Sequence, residues 1–182
     1  ATMNATVTVT GGEKFAQISS GQFVYYHHIR PIGEYYTDFV AVAEMFCHVP
    51  YYWGGKSVHG LDCSGLVQLS LEACGRPCPR DSDMQQDDLG RVLTSAESRK
   101  LQRGDLIFWK SHVAIARDAH TIVHANAHHM ATVIEDTGEA IARIKAASAQ
   151  SPAVHEAFQA AFVEKKLLGN RTVIRYLDFS HV

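Results

Sequence analysis

Three side chains are spaced so that they could act together on one bond: Cys63, His112 and His124. Cys63 stands between an irregular stretch, residues 51–62, and an apolar run carrying Leu66, Val67, Leu69, Leu71 and Ala73. That run reads as a buried helix that begins at or near Cys63 and is capped by Gly75. The first turn of a helix offers unpaired N–H groups and the positive end of a dipole. Both stabilise a thiolate, which is the nucleophilic form of cysteine. Ser64 and Gly65 are small enough to let a substrate approach, and Asp62 and Ser64 argue against a purely greasy site. His112 opens one apolar stretch and His124 closes the next. A tight turn at Arg117–His120 would pair the two stretches antiparallel and bring both imidazoles to the same end of a hairpin. One imidazole would take the thiol proton and the other would hold the first in its tautomer. Two plainer readings compete. Cys63 could be a buried apolar thiol, and the histidines could be two ordinary members of a set of eleven.

The elements that must position these groups are legible in part. Residues 5–10, Phe15–Ile18 and Phe23–Tyr26 read as a short β-meander with turns at Gly11-Gly12 and Ser19-Ser20-Gly21. Pro31-Ile32-Gly33 then reads as a linker, which divides the chain into residues 1–36 and 37–182. From Thr37, a plausible N-cap, a buried helix carries Phe39, Val40, Val42, Ala43 and Phe46 to about His48, and Pro50 stops it. Residues 51–62 read as loop, Ser82–Leu89 as a short helix, and residues 91–103 as polar connection. Strands follow at Asp105–Trp109, His112–Arg117, Thr121–Ala125 and Ala131–Glu135. Gly138–Ala147 and Pro152–Leu168 read as helices and Thr172–Leu177 as a last strand. Helices first and a mostly antiparallel sheet afterwards define an α+β class.

Composition narrows the function classes. The 182 residues are 46% hydrophobic and 20% charged, enough to bury a core without staples. Net charge is -2, which offers no electrostatic footprint for nucleic acid or an anionic membrane. No apolar run approaches the roughly 20 residues of a membrane span. The four cysteines, Cys47, Cys63, Cys74 and Cys78, do not form a disulfide framework if Cys63 stays free, because three remain. Unpaired thiols and a Thr-rich start without a cationic, apolar leader favour the cytoplasm as the expected compartment. No cofactor is implied. His124, His128 and His129 form one histidine cluster and His27-His28 another, but no carboxylate or thiol stands at a matching spacing, so no metal site is expected.

The stretches Pro50-Tyr51-Tyr52-Trp53-Gly54-Gly55 and Gly60-Leu61-Asp62-Cys63-Ser64-Gly65-Leu66-Val67 closely resemble the signature of NlpC-type cell-wall peptidases. So do Pro79-Arg80-Asp81-Ser82, Gly104-Asp105-Leu106-Ile107-Phe108-Trp109, His112-Val113-Ala114-Ile115 and His124-Ala125, in the family's order and spacing. The resemblance covers about residues 37–135. It implies a papain-like fold and a cysteine endopeptidase that cuts murein peptides between γ-D-glutamate and a diamino acid such as diaminopimelate. The N-terminal meander resembles part of the SH3-like barrel that often precedes such domains.

Carried over by position, the resemblance makes Cys63 the nucleophile, His112 the general base and His124 the group that orients it. Tyr51 matches the tyrosine whose hydroxyl faces the oxyanion together with the Cys63 N–H. Asp62, Ser64 and Ser82 match positions that receive the free amine of an N-terminal L-alanine, and Trp53 matches an aromatic wall of the cleft. Asp62 also suits a helix N-cap, Trp53 a packing anchor, and Arg80 a structural ion pair. Ala114 stands where the family often has Gly, a change a strand tolerates. The expected partner is a murein peptide, not nucleic acid or membrane. A murein amidase of the same fold, or a module that binds murein peptide without cutting it, are the alternatives.

Overall fold

The computed structural model describes residues 3–94, 100–109, 112–149, 162–168 and 171–177. Strands β1 (Val9–Gly11), β2 (Phe15–Ile18) and β3 (Phe23–Tyr25) form an antiparallel sheet in that order. The first strand starts later than the β-branched alternation of residues 5–10 suggests, because β2 ends at Ile18, opposite Val9, and turns away. A 3-10 turn at Tyr26–His28 ends the meander.

Helix α1 (Phe39–Glu44) is capped by Asp38, one residue beyond Thr37, because a carboxylate can accept from both Val40 N and Ala41 N. It ends four residues before His48. The expected loop at 51–62 contains a small hairpin, β4 (Lys56–Ser57) with β5 (Gly60–Leu61). This hairpin lies tightly on the start of α2 (Cys63–Ala73): a Cβ on Gly65 would meet the Gly55 carbonyl oxygen at 2.6 Å. Glycine is therefore required where the loop crosses the helix. Helix α3 (Ser82–Asp88) follows.

Strands β7 (Asp105–Trp109), β8 (His112–Ala116), β9 (Thr121–Asn126) and β10 (Ala131–Asp136) make an antiparallel sheet of order β10-β9-β8-β7. Its two faces are both covered. Leu106, Phe108, Val113, Ile115, Val123 and Ala125 pack with α1 and α2. Ile107, Ala114 and Ile122 pack with Ala140 and Ile141 of α4 (Thr137–Ala149), and Trp109 joins them. Each fully buried side chain of this size contributes about 1.5–3 kcal/mol, so the strand ends that carry the histidines are held between two packed layers. Ala114 is fully buried, and its methyl fills space on the α4 side.

Two expectations fail in the C-terminal part. Phe162–Leu168 is strand β11, not helix; it pairs over seven residues with β12 (Arg171–Leu177). Phe162, Val163, Leu167 and Leu168 recur near helical spacing, and pairing with the neighbouring strand β12 overrides that pattern. Arg91–Val92, read as connection, is strand β6, antiparallel to β11 and parallel to β12. The remainder of the expected helix, 152–161, lies outside the described residues.

Candidate active site

Asp62 caps α2 by accepting from Gly65 N, which fixes Cys63 as the first helical residue. The thiol is buried, 7% exposed. Burial pushes it up to about 11, and Asp62 pushes the same way. The backbone N–H groups of Val113, Ser64 and Cys63 itself act in the opposite direction. They are the donors a thiolate would use once formed. Contact with the Val113 N–H places the sulfur at the start of β8, one residue from His112. Among the described residues no hydrogen bond joins the Cys63 sulfur to the His112 ring, as is common before substrate binds.

The two histidines meet as the hairpin requires. His112 Nε2 lies 2.9 Å from His124 Nδ1, with the rings edge-on. Trp109 covers His112 at 4.6 Å between ring centroids. His124 is fully buried, and its Nε2 lies 2.5 Å from Glu135 Oε1. Burial drives the His112 ring well below its ordinary value, and the neighbouring His124 adds to this. Burial lowers His124 as well, against the pull of Glu135. The resting pair is therefore a thiol and a neutral imidazole.

Asp62, Ser64 and Arg80 form a closed group. Arg80 donates to both Asp62 oxygens, at 2.9 and 2.7 Å, and to Ser64 Oγ at 2.8 Å. Gly54 N also donates to Asp62, at 2.8 Å. The counter-charge that a substrate ammonium would seek at Asp62 is thus committed to Arg80, and Asp62 serves as helix cap and anchor of the loop. Burial would raise the Asp62 carboxyl, but the Arg80 hydrogen bonds and backbone donors win and hold it below its ordinary value. Such a group stabilises the fold above its unfolded pKa, and the contribution disappears as pH falls through the lower folded value. Arg80→Met should therefore cost about 3 kcal/mol near neutral pH, because a mostly buried carboxylate loses its partner. The cost should shrink in acid as Asp62 protonates. Urea unfolding at several pH values checks this; an equal cost throughout would contradict it.

The remaining expected residues fall into two groups. Tyr51 is near the thiol: burial, with Cys63 and Asp62 close by, lifts its phenol above the ordinary value, so it stays a hydrogen-bond donor. Ser82 begins α3, and that helix is pinned to the nucleophile's neighbour by Gln85, whose Nε2 donates to Ser64 O at 2.9 Å. Trp53 is 75% exposed, so it is not a core anchor. None of the four cysteines is in a disulfide. Among the described residues no group of three or more His, Cys, Asp or Glu could hold a metal, and no helix is long and apolar enough to cross a membrane.

The sequence pattern passed over Glu135, Arg143 and Gln85. Glu135 does carry a signal once the register is known: Val133 sits opposite His124, so Glu135 lies diagonally across from it on the same face.

A thiol at a helix start, with paired imidazoles on an antiparallel sheet packed against that helix, is the layout of papain-like cysteine hydrolases. The sequence model of the NlpC/P60 family matches residues 48–154, more than half of the chain, and the chain belongs to this family of cysteine peptidases. A gamma-D-glutamyl-L-lysine dipeptidyl-peptidase of Bacillus cereus is 34% identical over 99 residues, 54% of this chain and 26% of that protein. Peptidoglycan endopeptidase RipB of Mycobacterium tuberculosis is 39% identical over 74 residues, 34% of this chain and 29% of its own length. The chain thus spans between a quarter and a third of these curated relatives. The crystal structure of an NlpC/P60 family protein from Bacillus cereus superposes with a TM-score of 0.59 at 24% identity, over 71% of this chain and 48% of that one. That likeness establishes the fold.

Proposed function

We propose that this chain hydrolyses murein peptides at the bond between γ-D-glutamate and a diamino acid. His112 Nδ1 takes the Cys63 proton, and the thiolate attacks the γ-carbonyl carbon. The Tyr51 hydroxyl and the Cys63 N–H receive the oxyanion. The imidazolium then protonates the leaving amine, and water, activated by the same imidazole, hydrolyses the thioester. The observation that carries this reading is the 2.9 Å bond between His112 and His124, at the strand start whose next N–H faces the Cys63 sulfur. The choice of bond draws on the activity for which the Bacillus cereus relative is named. In the same proposal residues 1–36 are a separate, partial SH3-like unit beside a peptidase domain at 37–182.

Incubation with L-Ala-γ-D-Glu-diaminopimelate and its lysine counterpart, read by mass spectrometry, should release the dipeptide L-Ala-γ-D-Glu. Release of an intact peptide from a muramyl sugar, with no internal cut, would replace the peptidase with an amidase. The proposal includes a preference for a free N-terminal L-alanine. Ser82, the first residue of the helix that Gln85 ties to the Ser64 carbonyl, supports it; the Asp62–Arg80 pair weakens it. N-acetylating the tripeptide should lower kcat/KM by tenfold or more, on the order of one lost charge-assisted hydrogen bond. A ratio near one removes the amine preference and leaves the peptidase reading standing.

A further inference from the structure

Beyond Cys63, His112 and His124, the histidine chain continues into the protein. Glu135 on β10 lies against His124, and Arg143 on α4 grips Glu135 from the far side. Arg143 Nη1 donates to Oε2 at 2.6 Å and Nη2 to Oε1 at 2.8 Å. This is a fork-to-fork pair, and the Glu135 side chain is only 11% exposed.

We infer that Glu135, clamped by Arg143, is a positioning residue that fixes the tautomers of both histidines and leaves the lone pair of His112 on Nδ1, the nitrogen free to face Cys63. The inference rests on the proposed roles of Cys63 and His112. It follows step by step from what each group can donate. An arginine that gives two hydrogen bonds to one carboxylate requires that carboxylate to be ionised. An ionised carboxylate only accepts, so His124 Nε2 must carry a proton. Burial alone would raise the Glu135 carboxyl, but the bonds from His124 and Arg143 bring it down to about 2, which agrees. A neutral His124 with its proton on Nε2 has its lone pair on Nδ1. His112 must then donate from Nε2 across the 2.9 Å contact, and its own lone pair falls on Nδ1.

One contact pulls the other way. Asn126 Nδ2 lies 3.0 Å from His124 Nε2 and would favour a lone pair there. Asn126 cannot turn to offer its oxygen, because Oδ1 already accepts from His129 N at 2.8 Å. A neutral amide loses to a full carboxylate at 2.5 Å.

Arg143 has its own part. An unclamped Glu135 would favour a doubly protonated His124. Both of its nitrogens would then donate, His112 Nε2 would have to accept, and Nδ1–H would face Cys63, unable to take a proton. Arg143 opposes that state, since its charge disfavours imidazolium at both His112 and His124. Among the described residues, the other ionisable groups near this chain are Cys63, whose sulfur meets the Val113 N–H beside His112, His129 after β9, and Glu139 on α4 beside Arg143.

The test uses the full chain and needs no substrate. Nitrogen-detected NMR of the imidazoles at neutral pH should show His124 and His112 both protonated at Nε2; a proton on His124 Nδ1 overturns the inference. Cys63 alkylation by iodoacetamide across pH is the second measurement. In Glu135→Gln, Arg143 claims the amide oxygen and the NH2 group turns towards His124, reversing the tautomers. Labelling of Cys63 at pH 7 should fall at least tenfold, and the profile should approach that of an isolated buried thiol. Glu135→Asp should recover part of the rate. If Glu135→Gln does not fold, the paired change of Glu135→Met and Arg143→Met, which removes both charges, takes its place with the same expected slowing. A folded variant with an unchanged pH profile would mean that the pair only braces α4 on the sheet. If wild-type Cys63 is labelled no faster than Cys47, Cys74 and Cys78, the proposed nucleophile fails, and the NMR result still decides the tautomers.

Discussion

Cys63→Ala is expected to abolish hydrolysis of murein tripeptide while leaving the far-ultraviolet spectrum and the unfolding midpoint nearly unchanged. The loss should be on the order of 10⁴-fold or more, because no other group at the site can form the thioester. Tyr51 and the backbone donors stabilise charge that only an attacking nucleophile creates. The fold should survive because the α2 start is set by Asp62, which accepts from Gly65 N, and by the Gly55–Gly65 contact, neither of which involves the sulfur. Cys78→Ala provides the contrast. That thiol is buried, and burial pushes it up to about 12, so it is inert at neutral pH. Its removal should lower stability by about 1 kcal/mol and leave turnover intact. Product formation by Cys63→Ala above the background of a heat-killed sample would end the mechanism proposed here.

The two halves of the candidate site were not equally legible in the sequence. The nucleophile side was, because local signals suffice there: an acidic N-cap, an apolar run of helical period and a glycine stop define α2 from Asp62 to Gly75. The His112–His124 pairing was legible for a similar reason, since a four-residue turn between two short apolar runs pairs them antiparallel and brings both histidines to one end. What the sequence hid lies in contacts between distant elements. Arg143 reaches Glu135 only because Ala140 and Ile141 seat α4 on the β7–β9 face, and nothing in the helix pattern says which surface it will cover. An ion pair was expected of Arg80, but not its partner: Asp62 lies eighteen residues earlier, on the other side of α2 in the sequence. Strand β6 was hidden for the same reason: two residues become a strand by pairing with β11 and β12 far along the chain, which no local window contains. Strand β11 was misread differently, because its apolar spacing suits a helix while its partner is the neighbouring β12.

The histidines should respond unequally to substitution. His112→Ala removes the group that takes the thiol proton, and the buried thiol, pushed up to about 11, will not ionise unaided near neutral pH. A loss of about 10³–10⁴-fold in kcat is expected, with KM little changed, as for a missing general base. His124 never touches substrate in this scheme. His124→Gln keeps an oxygen that can accept from His112 Nε2, so the base stays in its working tautomer; about 1–10% of the activity should remain. His124→Ala should do worse on two counts, leaving a void at a fully buried position and a Glu135 carboxylate without its donor. The pH profile adds a check with a definite sign. A base works only when unprotonated, and burial lowers the His112 ring, so the acid limb of wild-type kcat/KM should lie below the ordinary imidazole value of about 6.5. Equal loss of activity in His112→Ala and His124→Gln would show that His124 exchanges protons directly with the reacting groups.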